Sequence, residues 1–434
     1  MPDLTWKPDG PLEQRSSKGN PGYRRPVQGR GHSGAARPLA GISVRPVAGL
    51  LFFALTIIGF GGDETRQRPR DLGFPTGVMT PGPLNAITDV AGVRVGHVTI
   101  VRGDDVRTGV TAVLPHGGNL FQNKVAAAIE VFNGFGKLAG FTQVRELGNI
   151  ESPVILTNTL SVGAAMEGAV RHALEQPGNE DVRSVNIVVG ETNDASLNDI
   201  RGLHVRPADV QSAIETAREG PVAEGAVGAG TGTRALGFKG GIGTSSRLTE
   251  EWAGRRYTVG VLVQSNFGTE LVMQGVPVGR ILRRGGSFAV PVPGLSPEED
   301  TGEAGRGGSC MIVIATDAPL SERNLERLAR RAFIGMGRTT TVMSNGSGDY
   351  AVAFSTSRNI PHSPNSPLIP TPDLVGNDMM TVLFRAVEEA VEEAIYNSLF
   401  MAETMTGRDG NRAEALPIGR VLEILKVFRF RTST

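Results

Sequence analysis

From about residue 72 to the end of the chain, short runs rich in Val, Ile and Thr alternate with longer stretches whose apolar residues recur every three or four positions. The runs at 93–101, 109–114, 153–157, 185–189, 257–263, 287–292, 311–316 and 350–355 are bounded by polar residues or by glycine and proline, and they read as strands. Between them Met166, Ala169, Val170, Ala173 and Leu174 fall on one helical face, as do Val210, Ala213, Ile214 and Ala217. Leu325, Leu328, Ala329, Ala332 and Phe333 form a third stripe, with Ser321 placed as its N-cap. The longest predicted helix spans 379–402. It turns Leu383, Ala386, Val387, Ala390, Val391, Ala394, Ile395 and Leu399 inward, and sets Glu388, Glu389, Glu392 and Glu393 on a face that reads as solvated. Strands and helices mixed along the whole stretch predict layered α/β packing rather than a bundle or sheets alone.

Ahead of this region the pattern is different. Residues 1–45 carry Arg15, Arg24, Arg25, Arg30, Arg37 and Arg45 among glycine, proline and serine, and have too few apolar residues to fold. An uncharged run, VAGLLFFALTIIGF, follows at 47–60; it is shorter than the roughly 20 residues a spanning helix needs. Its length, the basic residues before it and the small residues Gly59 and Gly61 fit a cleaved export signal, with an uncleaved anchor and a core segment as alternatives. Export to the periplasm or the outside is therefore expected, with transient membrane or translocon contact through 47–60. A translation start near Val44 would explain the long leader, and a misassigned start would leave a cytoplasmic or anchored protein as the alternative. The expected organisation is a leader at 1–71 and one catalytic domain at 72–434.

Composition narrows the class. Among 434 residues there are 58 glycines and 27 prolines, about a fifth of the chain, against roughly 12% in average usage, so tight turns are many. No Gly-X-Y period accompanies them, which excludes a collagen-like fibre. Lys plus Arg and Asp plus Glu are equal at 44 each, leaving no net field to gather nucleic acid or acidic lipid. Cys310 alone makes neither a disulfide nor a cysteine metal cluster, and at the head of an apolar strand it reads as a small buried hydrophobe. His32, His97, His116, His172, His204 and His362 are scattered without metal-ligand spacing, so no metal is expected. The run GAGTGT at 228–233 lacks the dinucleotide-loop spacing and no Gly-Lys-Ser/Thr follows, so no nucleotide cofactor is expected. The neighbouring GGIGT at 240–244 suits a backbone that approaches the active site closely.

The longest stretch without apolar pattern inside the folded region is GLSPEEDTGEAGRGG, 294–308. Unstructured segments of that length inside a domain are usually functional or linkers. Directly after it come Ser309, Cys310 and the apolar strand at 311–315, so a hydroxyl stands where flexible chain enters a buried strand. A serine hydroxyl so placed can attack the carbonyl before it, and glycine at 308 leaves that carbonyl open. The shift to an ester and its hydrolysis together leave a new N-terminus, whose α-amino group, with an unperturbed pKa of about 7.7 to 8.0, is able to act as base for the same hydroxyl. By spacing alone, a plain linker end remains the alternative.

The stretch GGSCMIVIATDAPLS at 307–321 resembles the start of the small subunit of the self-cleaving serine aminopeptidases, the family of L-aminopeptidase/D-amidase/D-esterases and β-peptidyl aminopeptidases. Further blocks match in order: NAITDVAGVRVGH (85–97), GVTAVLP (109–115), LTNTLSVGAA (156–165), VVGETNDASLNDIRGLHV (188–205), GAVGAGTGTRALGFKGGIGTSSR (225–247), VLVQSNFG (261–268), NGSGDYAVAFST (345–356) and LPIGRVLEIL (416–425). The resemblance implies a four-layer αββα sandwich like that of N-terminal nucleophile hydrolases but differently connected, with no metal or other cofactor. It also implies a homotetramer of cleaved protomers.

Residue by residue, the resemblance implies self-cleavage between Gly308 and Ser309, giving pieces 72–308 and 309–434, with Ser309 the nucleophile of both processing and turnover. Asn266 matches the oxyanion-stabilising asparagine, and Ser347 and Asp349 match the pair around the new amino group. Glu191 matches the carboxylate that binds the substrate's ammonium. No aromatic residue stands between Glu191 and Asn198, and Leu160 replaces a histidine common in relatives. Side-chain preference among α-L, β and D residues therefore stays open. The expected activity is release of N-terminal residues from small peptides, aminoacyl amides or esters. The competing readings are a related amide hydrolase or acyltransferase of the same fold, acting on a pantetheine-like amide, and an uncleaved, non-catalytic binding module.

Overall fold

The computed structural model describes residues 65–283, except 253 and 269, and residues 308–432, except 341, 364–366 and 369–372. Leader residues 1–64, which include the apolar run 47–60, the expected strand at 287–292 and loop residues 294–307 lie outside the described residues. The first of two sheets has the order β1 (Arg94–Arg102), β2 (Val106–Leu114), β6 (Val154–Asn158), β7 (Val188–Thr192) and β4 (Leu138–Ala139). The second has the order β10 (Gly241–Leu248), β11 (Thr258–Asn266), β12 (Ser309–Thr316), β13 (Gly348–Pro361), β3 (Asn123–Gly134) and β5 (Asn149–Ile150). A short hairpin, β8 (Arg234–Ala235) and β9 (Phe238–Lys239), precedes β10. The helices are α1 (Phe141–Leu147), α2 (Val162–Glu175), α3 (Pro207–Glu215), α4 (Val278–Arg283), α5 (Glu322–Gly337), α6 (Met380–Phe400) and α7 (Ile418–Thr432). Ser321 caps α5 by accepting the Asn324 N–H at 3.4 Å.

Three apolar layers make this an αββα sandwich. Ala165, Ala169, Val210, Ala213 and Ile214 of α2 and α3 pack on Val110, Ile155 and Val189 of the first sheet. Val113, Leu156 and Val188 of that sheet meet Leu262, Met311, Val313, Val352 and Phe354 of the second. Cys310, Ile312 and Ile314 face the other way, toward Leu328, Ala332, Ala386, Val387 and Ala394 of α5 and α6. The pleat explains why β12 is apolar at consecutive positions: covered on both faces, it has no solvent side.

Two strands escape the hydrophobic pattern. β3 is rich in alanine, a good helix former, yet it runs antiparallel to β13 because the crowded layers on both sides accept small side chains there. β10, with its glycines, serines and threonine, reads as loop but is an edge strand pressed against α6. A Cβ on Gly243 would overlap the Ala394 carbonyl of that helix, and the Ser245 hydroxyl donates to the Ala390 carbonyl at 2.5 Å. The approach expected of 240–244 is to the active site; at Gly243 the close partner is α6 instead.

The acidic face of α6 is a correction. Glu389, Glu392 and Glu393 are buried, because from Glu389 onward the helix is covered all round rather than on one stripe. Arg247, fully buried, places Nη2 at 2.5 Å from Glu393 and Nε at 3.2 Å from Glu389. Arg70 reaches Glu393 at 2.6 Å, and Asn85 donates to it at 2.8 Å. Burial pushes the Glu393 carboxyl up, but the Arg70 donors and the charge of Arg247 outweigh it and hold the group below its ordinary value. Arg66 also donates to the Ala402 and Leu416 carbonyls, and Arg68 pairs with Glu224 at 2.6 Å. Residues 65–71 are therefore bound to the folded body, which begins before residue 72. Among the described residues no helix is long and apolar enough to cross a membrane.

Candidate active site

The topology of the second sheet gathers three strand ends. β12 is antiparallel to β11 and parallel to β13, so its first residue, Ser309, lies between the last residue of β11, Asn266, and the first of β13, Gly348. By alternation Ser309 and Asn266 point into the space between the sheets, as Met311 and Leu262 do further along. All five residues singled out in the sequence are nearly buried: Ser309, Asn266, Ser347, Asp349 and Glu191.

The Gly348 N–H serves both atoms of the expected self-cleavage. It lies 3.3 Å from the Ser309 hydroxyl oxygen and 3.2 Å from the Gly308 carbonyl oxygen. A shared donor of this kind holds the hydroxyl beside the carbonyl before it and draws charge toward that carbonyl's oxygen. Gly308 itself has no room for a side chain: a Cβ there would fall 2.5 Å from the Asn266 carbonyl oxygen and overlap the Phe267 backbone.

Asn266 is clamped at both ends of its amide. The Arg234 N–H donates to its Oδ1 at 3.0 Å, and its Nδ2 donates to the Asn193 carbonyl at 3.0 Å. The amide cannot flip without losing both bonds, and its second N–H hydrogen remains for an oxyanion. The two clamps are backed by buried charges that the sequence reading missed. Lys239, fully buried at the end of the β8–β9 hairpin, donates to the Gly230 and Gly240 carbonyls at 2.9 and 2.6 Å. Asp194 follows Asn193 and accepts from Asn198 at 3.0 Å. Burial lowers the Lys239 ammonium to about 7 and raises the Asp194 carboxyl to about 7, each opposed by the other's charge. The signal for Lys239 is a charged residue inside an apolar, glycine-flanked run.

Ser347 and Asp349 come together, the Ser347 hydroxyl donating to Asp349 Oδ1 at 2.8 Å. Asn133 of β3, not singled out in the sequence, donates to Asp349 Oδ2 at 2.8 Å. Burial raises the Asp349 carboxyl, and the bonds from Asn133, Ser347 and the Cys310 main chain offset part of that rise. The pair lies beside the Ser309–Cys310 peptide, since Asp349 is the register partner of Cys310. Cys310 is fully buried, and its thiol is pushed well above the ordinary range by burial and by the Asp349 charge.

Glu191 stands at the end of β7 with its carboxylate bound by the Lys137 N–H at 3.0 Å and by the Thr159 hydroxyl. The Lys137 ammonium lies 3.6 Å from the same oxygen. The Tyr350 hydroxyl is close by: a Cβ on Gly136 would sit 3.0 Å from Glu191 Oε1 and 3.1 Å from that hydroxyl. Among the described residues no group of three or more His, Cys, Asp or Glu is placed to hold a metal ion. The arrangement offers a hydroxyl, a preorganised amide donor, a hydrogen-bonded serine–aspartate pair at the serine's peptide and a buried carboxylate for a cation.

Comparison with known proteins agrees with this geometry. Residues 85–413 match the model of peptidase family S58. Over 376 residues the chain is 44% identical to the β-peptidyl aminopeptidase BapA of Sphingosinicella microcystinivorans, covering 83% of this chain and 92% of that one. Among solved structures, a Burkholderia sp. β-aminopeptidase is 41% identical with a TM-score of 0.75, covering 83% of this chain and 98% of the other. The L-aminopeptidase D-Ala-esterase/amidase of Ochrobactrum anthropi, described as a prototype of the serine aminopeptidases and a variant of the Ntn hydrolase fold, is 37% identical. It has the same TM-score and the same two coverages.

Proposed function

The chain belongs to peptidase family S58 and is a serine aminopeptidase, and from that premise we propose that it matures by cutting itself between Gly308 and Ser309. The Ser309 hydroxyl attacks the Gly308 carbonyl, the peptide nitrogen leaves with a proton, and the Gly308 acyl group moves to oxygen. That shift frees the Ser309 amine; water then hydrolyses the ester, releasing the Gly308 carboxylate and restoring the Ser309 hydroxyl. In turnover that amine takes the proton of its own hydroxyl as Ser309 attacks the carbonyl of the substrate's first residue. Asn266 Nδ2 holds the oxyanion, the departing amine receives the proton, and water releases the acyl group from Ser309. Ser347 and Asp349 order the new amine, and Glu191 binds the substrate's ammonium, which favours chains with a free N-terminus. The observation that carries this reading is the Gly348 N–H shared by the Ser309 hydroxyl and the Gly308 carbonyl.

Denaturing electrophoresis with mass analysis tests it. Active enzyme should contain a piece that ends at Gly308 and a piece that starts at Ser309, and Ser309→Ala should stay whole and inert. Active protein with that junction intact would overturn the mechanism. A panel of aminoacyl p-nitroanilides identifies the substrate, with β-residues first because the 44% identical relative is named a β-peptidyl aminopeptidase. Acetylating the substrate amine should abolish turnover if Glu191 is its anchor. The proposal extends to a homotetramer of cleaved protomers, read by light scattering. It extends also to export with cleavage after the run 47–60, read by N-terminal sequencing of protein from its host.

A further inference from the structure

The carboxylate assigned to the substrate's ammonium already faces one. Lys137 Nζ lies 3.6 Å from Glu191 Oε1, yet the two partners sit in different surroundings: the Glu191 side chain is 3% exposed and that of Lys137 54%. A nearly buried carboxylate without a counter-charge is costly, so some cation belongs there in every state of the site. The lysine ammonium loses little by swinging into water, because exposed ion pairs are weak. Lys137 also holds Glu191 through its main-chain N–H, so the side chain can leave without releasing the carboxylate from that bond. Next to it Gly136, lacking a Cβ, leaves open the space between Glu191 Oε1 and the Tyr350 hydroxyl.

We infer that Lys137 is a specificity-determining residue whose ammonium keeps the place of the substrate ammonium on Glu191 in the free enzyme and is displaced when substrate binds. The inference rests on the proposed role of Glu191. Two ammonium groups on one carboxylate repel, so the lysine opposes every cationic substrate equally in the ground and transition states, and its effect falls on KM rather than kcat.

The test is Lys137→Met in the self-processed enzyme, assayed with an aminoacyl p-nitroanilide that carries a free α- or β-ammonium and an uncharged side chain and that wild type cleaves. The expected result is a KM lower by about threefold or more, with kcat moving by less than about twofold, while Lys137→Arg keeps the wild-type KM. An unchanged or higher KM in Lys137→Met overturns the inference, and so does a fall in KM of the same size in Lys137→Arg. Glu191→Gln on the same substrate separates the two levels. If it leaves KM unaltered, the role of Glu191 itself falls and the inference with it. If it raises KM while Lys137→Met does not lower it, only the displacement by Lys137 falls.

Discussion

Asn266 and Ser309 are register partners on neighbouring antiparallel strands, the last residue of β11 opposite the first of β12. The pairing fixes their separation through the backbone rather than through flexible side chains, so an amide donor and a hydroxyl are presented together as soon as the sheet forms. Asn266→Ala is therefore expected to keep the fold and lose about 100- to 1,000-fold in kcat, the effect of deleting one oxyanion donor. Steady-state kinetics on purified protein checks this, with circular dichroism to show that the sheet persists.

Gly308→Ala tests the steric demand at the cleavage junction. A Cβ there meets the Asn266 carbonyl and the Phe267 backbone, neither of which can turn away. Overpacking of this kind costs about 1 to 3 kcal/mol, which, if borne in the attacking geometry, corresponds to self-cleavage slower by about 5- to 150-fold. A time course of band intensities after expression measures it; cleavage at the wild-type rate would show that the junction has slack.

The cluster of Arg70, Arg247, Asn85 and Glu393 predicts a large stability effect away from the active site. Removing the carboxylate in Glu393→Ala leaves a fully buried Arg247 with one of its two carboxylates gone. Loss of one partner in such a network costs about 3 to 5 kcal/mol. Urea unfolding followed by fluorescence should show the transition at lower denaturant, and a shift within experimental error would mean that water compensates Arg247.

His97 predicts a pH dependence of stability. Burial, helped by the Arg218 charge, lowers its pKa from the ordinary 6.5 to about 4. Its Nδ1 meets the Thr111 hydroxyl at 2.9 Å, and its Nε2 is buried without a partner among the described residues. Between these two pH values the unfolded chain binds the proton more readily than the folded one. The contribution is thus fully present above about pH 6.5 and is lost as pH falls through about 4, to an extent of roughly 3 kcal/mol. Melting curves over pH 7 to 4 should show wild type losing stability relative to His97→Gln as pH falls, and a parallel pH dependence of the two would refute it.

Much of the site was legible in the chain because its residues belong to distinctive local blocks. Ser309 stands at a flexible-to-apolar boundary that the chain itself displays, whereas Asn266, Glu191, Ser347 and Asp349 are identified through the resemblance of their local blocks to those of the family. The doubly covered strands and the helical stripes likewise announce layered packing, since burial on one or two faces writes itself into periodicity. The structure alone decided which residues answer each other across the layers. The Gly348 N–H between hydroxyl and carbonyl, Asn133 on Asp349, Lys137 and Thr159 on Glu191, and the clamps on Asn266 all join segments far apart in sequence. So do Arg70 and Arg247, which turn an acidic helix face that looks solvated into a buried ion cluster. Periodicity states how much of a residue is covered, but a hydrogen bond or a charge depends on what covers it, and that is fixed only when distant strands and helices come to rest together.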